Sequence, residues 1–95
     1  MINDSGIQRA IALLNADLTV IAIGTGAAPT RTATQLTTES LRKTVSETLI
    51  DGSILVKELF LSENEGNVTI TEWGIFCNGA TVTPGTGQLF ASTGS

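Results

Sequence analysis

The chain opens on an amphipathic pattern. Ile7, Ala10, Ile11 and Leu14 recur at intervals of three and four residues, drawing one apolar stripe with Gln8, Arg9 and Asn15 off it. Ser5-Gly6-Ile7-Gln8 fits a capping box, in which the Ser hydroxyl and the Gln side chain satisfy otherwise orphaned amides. The spacing predicts a helix over about 5–16, ending near Asn15 to Asp17. So short a helix is marginal alone, so its stripe is expected to pack on a sheet. The pattern then changes. Thr19 to Ile23 is a continuous β-branched run, the mark of a buried strand, and it stops at Gly24-Thr25-Gly26-Ala27-Ala28-Pro29-Thr30.

From Thr30 to Glu39 the sequence is Thr-rich and weakly patterned, which predicts an extended loop crossing the domain, with one helical turn near Glu39 to Leu41. Thr44 to Ile50 and Ser53 to Leu61 flank Asp51-Gly52, a dipeptide suited to the positive φ angles of a type I′ hairpin turn. In the second arm Ile54, Val56 and Phe60 share one face, and Leu55, Leu59 and Leu61 the other. Both faces are partly apolar, as for a strand covered by the core on one side and by a neighbour on the other. Ser62 to Asn67 is a polar turn, and Val68 to Cys77 a further strand with Phe76 on one face and Trp73, Ile75 and Cys77 on the other. Asn78-Gly79 repeats the turn signal, Ala80 to Thr83 is a short arm, Pro84 to Gly87 breaks the chain, and Gln88 to Ala91 makes a last short strand before the polar Ser92 to Ser95 end. The fold class is therefore mainly β: a short N-terminal helix followed by an antiparallel sheet or β-sandwich of about five to six strands, one domain over 1–95.

Composition narrows the function. The 95 residues include 15 threonines, which suit strands, and only 15% are charged. A net charge of -4 with no basic cluster argues against nucleic acid and anionic membranes, whose affinity comes mainly from Lys and Arg. The apolar stretch from Ala10 to Ile23 is interrupted by Asn15 and Asp17, and the N-terminus lacks a basic leader, so a soluble protein is expected. With no His and with Cys77 as the single cysteine, an internal disulfide, a Cys/His zinc site and His-assisted nucleophiles are all excluded.

The remaining chemical candidates are thin. Gly24-Thr25-Gly26 follows a strand but lacks the third Gly of a dinucleotide fingerprint and the Gly-Lys-Ser/Thr of a phosphate loop, so it reads as a strand-ending turn. Glu63, Asn64, Glu65 and Asn67 offer oxygen ligands without EF-hand spacing, and read as a solvated acidic turn. Glu47, Glu58, Glu63 and Glu72 are the carboxylates available for glycoside hydrolysis, with nothing to set their separation. Cys77 reads as a small apolar group. The segment that stands out is Glu72-Trp73-Gly74-Ile75-Phe76, where Gly interrupts a strand beside the only Trp. Trp73 is either an interface anchor or a cap on the core with Gly74 making room for it. The candidate subunit interface comprises Trp73, Gly74, Ile75, Phe76, Leu55 and Leu59. No catalytic, cofactor-binding or metal-binding residue is assigned.

Taken as an ordered series, the segments resemble a known family. Asn3-Asp4-Ser5-Gly6 starts a helix; Val20-Ile21-Ala22-Ile23-Gly24-Thr25-Gly26-Ala27-Ala28-Pro29-Thr30 carries a hydrophobic-Gly-Thr-Gly-x-x-Pro-Thr signature; Thr38-Glu39 precedes Arg42-Lys43. Asn67 to Phe76 and Gly87-Gln88-Leu89-Phe90-Ala91 follow as two patterned strands. Together they resemble the small β-rich virion structural proteins of tailed bacteriophages, of the tail-fibre or tail-appendage type. The resemblance implies a non-enzymatic tail-fibre or baseplate-type assembly component, without a cofactor. It would be made in the bacterial host cytoplasm and incorporated in the virion, in the tail rather than the capsid. Its partners would be other virion proteins and copies of itself, as a homotrimer. Family members continue into further strands beyond the Leu-Phe-Ala segment, so the expectation is an open sheet edge covered by a neighbouring subunit. A capsid decoration (cement) protein is the first alternative, and a glycan-binding or glycan-cleaving module built around Trp73 the second.

Overall fold

The computed structural model describes residues 1–52 and 54–93. Helix α1 (Asp4–Asp17) is followed by strands β1 (Val20–Gly24), β2 (Glu39–Thr44), β3 (Glu47–Asp51), β4 (Ile54–Glu58), β5 (Glu72–Cys77) and β6 (Gln88–Ser92). Strands β2-β1-β5-β6 form a four-stranded sheet, and β3 and β4 form a separate two-stranded hairpin. Every pairing is antiparallel, so the chain is mainly β, with one N-terminal helix.

The apolar run of β1 occupies the middle of the sheet, where alternation alone would not be enough. Val20, Ala22 and Ile23 are all buried, flanked by β2 on one side and β5 on the other. Val20, Ala22 and Phe76 line the inner face, Leu36 from the long β1–β2 loop covers them, and Ala80 and Leu89 pack at the margin. This core is small, and two charged residues, Arg42 and Glu72, are buried with it.

Both outer pairings carry a bulge. Ile23 pairs with Leu41 but Gly24 with Glu39, leaving Ser40 as the extra residue; Ile75 pairs with Ala91 but Phe76 with Leu89, leaving Phe90 extra. The first bulge puts Glu39 and Arg42, three residues apart, on the same inward face. The second pushes Phe90 outward, to 52% exposure.

Several sequence expectations are corrected. The helix begins two residues earlier than a Ser5 cap allows: Asn3 is the N-cap, its carbonyl accepts the Ile7 amide at 3.0 Å, and no side chain caps the end. Asp4 then lies in the first turn, where a carboxylate is favoured by the helix dipole. Glu39 to Leu41 is strand, not a helical turn, because its backbone pairs with β1. The expected Thr44 to Ile50 strand is split: the Val45 amide bonds Thr19 in the sheet, while the Ser46 amide turns to Glu58 in the hairpin, at 2.9 and 2.8 Å. The hairpin closes at the Asp51–Ile54 pair, so Asp51 ends β3 and Gly52, with φ of 62°, supplies the left-handed residue. Ser53, placed by the sequence pattern at the start of the second arm, lies outside the described residues, as do Gly94 and Ser95 of the polar end. The strand expected from Val68 starts only at Glu72. Asn78 and Gly79 do take the expected positive φ angles, 60° and 73°.

Candidate assembly surface

Strand alternation divides the segment Glu72 to Phe76 between two faces. Glu72, Gly74 and Phe76 point inward and are buried; Trp73 is 49% exposed on the opposite face, and Ile75 there is half-buried. Trp73 lies across from Ile23, and Ile75 from Ile21 and Ala91. Leu55 and Leu59 belong to the hairpin region and are half-buried. The six residues chosen from sequence are therefore not one surface. The space over Gly74 is taken by Leu89 and Leu36 on the inner face, so it makes no room for Trp73: a Cβ there would meet Leu36 at 3.2 Å and the Ala91 carbonyl at 3.3 Å, and would collide with Leu89.

The inner face has a polar construction that the sequence pattern conceals. The buried Glu72 carboxylate accepts backbone amides from Gly26 at 2.9 Å and from Thr37 and Thr38 at 2.7 Å each. It thereby fastens both ends of the β1–β2 loop to β5. The Gly-Thr-Gly turn is the seat of this carboxylate: a Cβ on Gly24 or Gly26 would approach Glu72 Oε2 within 2.6 or 2.8 Å. A charged acceptor fed by preorganised amides is a strong local tie, worth more than a neutral hydrogen bond.

Arg42 does the equivalent work on the other side. Its guanidinium donates to both Glu39 carboxylate oxygens at 2.8 and 2.7 Å, and to the Thr81 and Thr86 carbonyls at 3.2 and 2.9 Å. It also donates to Gln35 at 3.3 Å, and its Cζ lies 4.4 Å from the Phe76 ring centroid. The β5–β6 loop and the β1–β2 loop are thus both anchored on one side chain. Thr86 completes the loop by accepting the Thr81 amide and donating to Thr83 O.

The hairpin is built differently. Every residue of β3 is exposed, and Leu49, Ile50, Ile54 and Phe60 stand 59%, 46%, 58% and 55% open. Of the cover expected on the two sides of β4, the described residues supply α1 rather than the sheet core on one side and nothing on the other. Its face bearing Thr48, Ile50, Leu55 and Lys57 turns toward α1, where Lys57 Nζ donates to Asn15 O and Oδ1 at 3.0 and 2.6 Å. Burial there lowers the pKa of the Lys57 ammonium. The opposite face carries Leu49 and Val56 side by side, Ile54 with Asp51 at the turn, and Glu47 directly across from Glu58.

Two shallow grooves accompany these faces. One, of about 240 Å³, lies between Asp4, Ile7 and Gln8 of the helix and Gly52 of the hairpin. The other, of about 290 Å³, runs between Pro29 to Ala33 and strand β6, with Arg31 and Phe90 in its lining.

Of the carboxylates considered for glycoside hydrolysis, Glu72 is committed to backbone amides, Glu47 and Glu58 face each other on the hairpin, and Glu63 lies exposed in the acidic turn. In that turn Glu65 binds Lys43 at 2.9 Å and accepts the Ser62 amide; the Lys43 hydrogen bond chiefly holds its carboxyl down at about 2. Burial, then the charge of Asp17, pushes the half-buried Cys77 thiol up, away from nucleophilic character. Among the described residues no three His, Cys, Asp or Glu side chains are placed to share a metal ion, and no helix is long and apolar enough to cross a membrane. Comparison with protein-family models, with curated proteins and with solved structures gave no match.

Proposed function

We propose that this chain is a non-enzymatic structural component of a tailed-phage virion, a tail-fibre or baseplate-type assembly piece that associates with copies of itself and with neighbouring virion proteins. The observation that carries the reading is the distribution of apolar surface. The chain buries a small core, while Leu49, Ile54, Phe60, Trp73 and Phe90 are each about half exposed or more. Exposed apolar side chains on the hairpin (Leu49, Ile54), on the outer face of β5 (Trp73) and on the edge strand β6 (Phe90) suit a subunit that packs against others. The ordered resemblance from Asn3 to Ala91 supplies the virion context, and the homotrimer is the arrangement it favours.

Gold-labelled antibody on particles from the source strain, viewed by electron microscopy, tests the location. Label at the tail or its tip is the expected result. Label spread over the head would replace the tail reading with that of a capsid decoration protein, and unlabelled particles would overturn the virion assignment.

A further inference from the structure

We infer that two copies of this chain meet head to tail, the outer face of the β3–β4 hairpin of one docking in the groove beside β6 of the next. This deepens the self-association in the proposed function and rests on that part of it alone. On the outer hairpin face Glu47 and Glu58 are cross-strand partners, and neither has an ion-pair partner among the described residues. Like charges directly opposite each other destabilise a hairpin, so a cation placed between them would be favoured.

The chain's own cations leave few candidates for that role. Arg42 and Lys43 are paired with Glu39 and Glu65, and Lys57 is engaged by Asn15. Arg9 and Arg31 make no ion pair among the described residues, and Arg9 is on the helix, lining neither groove. Arg31 lines the β6 groove together with Phe90, which the β-bulge has pushed into solvent. The two surfaces are complementary in kind. One offers Leu49 and Ile54 among three carboxylates, Glu47, Asp51 and Glu58; the other offers a concavity with Phe90 and Pro29 beside a guanidinium. Self-pairing of the β3 edges, centred on Leu49, is disfavoured because it would set Glu47 against the partner's Asp51. Because the two contacting patches differ, the association is heterologous, giving a closed ring when the rotation closes and a filament when it does not.

The test uses two variants of the full chain, Leu49→Asp on the hairpin and Phe90→Asp in the groove. Both replaced side chains are more than half exposed, and circular dichroism checks the fold. Ile54→Asp and Arg31→Glu serve as the second variant of each surface. Sedimentation equilibrium should show wild type associating and each variant alone weaker by on the order of tenfold or more. A mixture of one hairpin variant with one groove variant should form a one-to-one pair, of about twice 9.9 kDa, through the one intact hairpin and the one intact groove. A wild-type monomer throughout the micromolar range, variants that associate like wild type, or a mixture that stays monomeric would each overturn the contact. None of these results bears on virion location, which the antibody labelling reads separately.

Discussion

The four-stranded sheet and the hairpin occupy one short chain yet are stabilised in opposite ways. The sheet surrounds a small apolar cluster and then ties its two long loops down with buried charged groups, Glu72 to three amides and Arg42 to a carboxylate and two carbonyls. The hairpin has a regular five-pair register but little cover: α1 and Lys57 on one face, solvent on the other. Regular pairing and burial are thus separable. An isolated two-stranded hairpin is at best marginal in water, so the second region depends on the helix for cover on one face, and the proposed self-association would supply cover on the other.

That contrast is broken most severely at Glu72. Glu72→Ala would leave the Gly26, Thr37 and Thr38 amides without their acceptor and should cost about 3–5 kcal/mol, read as a lower urea midpoint. Arg42→Met keeps much of the volume over Phe76 but strands the Glu39 carboxylate and the Thr81 and Thr86 carbonyls. A loss of about 2–4 kcal/mol is expected in the same measurement. Gly74→Ala tests packing rather than polarity: its Cβ must displace Leu89, whose side-chain end can yield, for about 1–3 kcal/mol.

The smallest effect belongs to the acidic turn and depends on pH. The Glu65 carboxyl, ordinarily near 4.5, is held at about 2 in the folded chain, first by the Lys43 hydrogen bond and then by the Ser62 amide. A depressed carboxyl pKa stabilises the fold fully above the unfolded value and loses that contribution as pH falls through the folded one. Melting temperatures recorded from about pH 5 to about pH 2 should therefore fall slightly further for wild type than for Glu65→Gln, in which this titration is gone.

The legible parts of the fold were those in which apolar pattern and backbone geometry agree. The β-branched run of β1, the alternation of Trp73 and Phe76, the existence of helix α1 and the Asn78-Gly79 turn all follow from local sequence, although of the α1 stripe only Ile11 is buried. Strand β2 was not legible, because Glu-Ser-Leu-Arg-Lys-Thr places charged groups on the inward face and a bulge spoils its alternation. The role of Glu72, which the sequence offers only as one of four carboxylates with nothing to set their separation, is equally hidden. Its partners lie 34 to 46 residues away, where no local pattern reaches. The candidate interface fared according to the same rule. Period-two alternation separates Trp73 and Ile75 from Gly74 and Phe76, whereas the exposure of Phe90 comes from a bulge that the sequence does not announce.

The division between a self-sufficient sheet and a hairpin completed by a partner is tested most directly by native-state hydrogen exchange over a range of protein concentrations. Amides of β1 and β5 should be strongly protected at every concentration. Those paired between β3 and β4 should exchange readily when dilute and become protected as the chain associates. Hairpin amides as protected as β1 and β5 even at the lowest concentration would contradict the account.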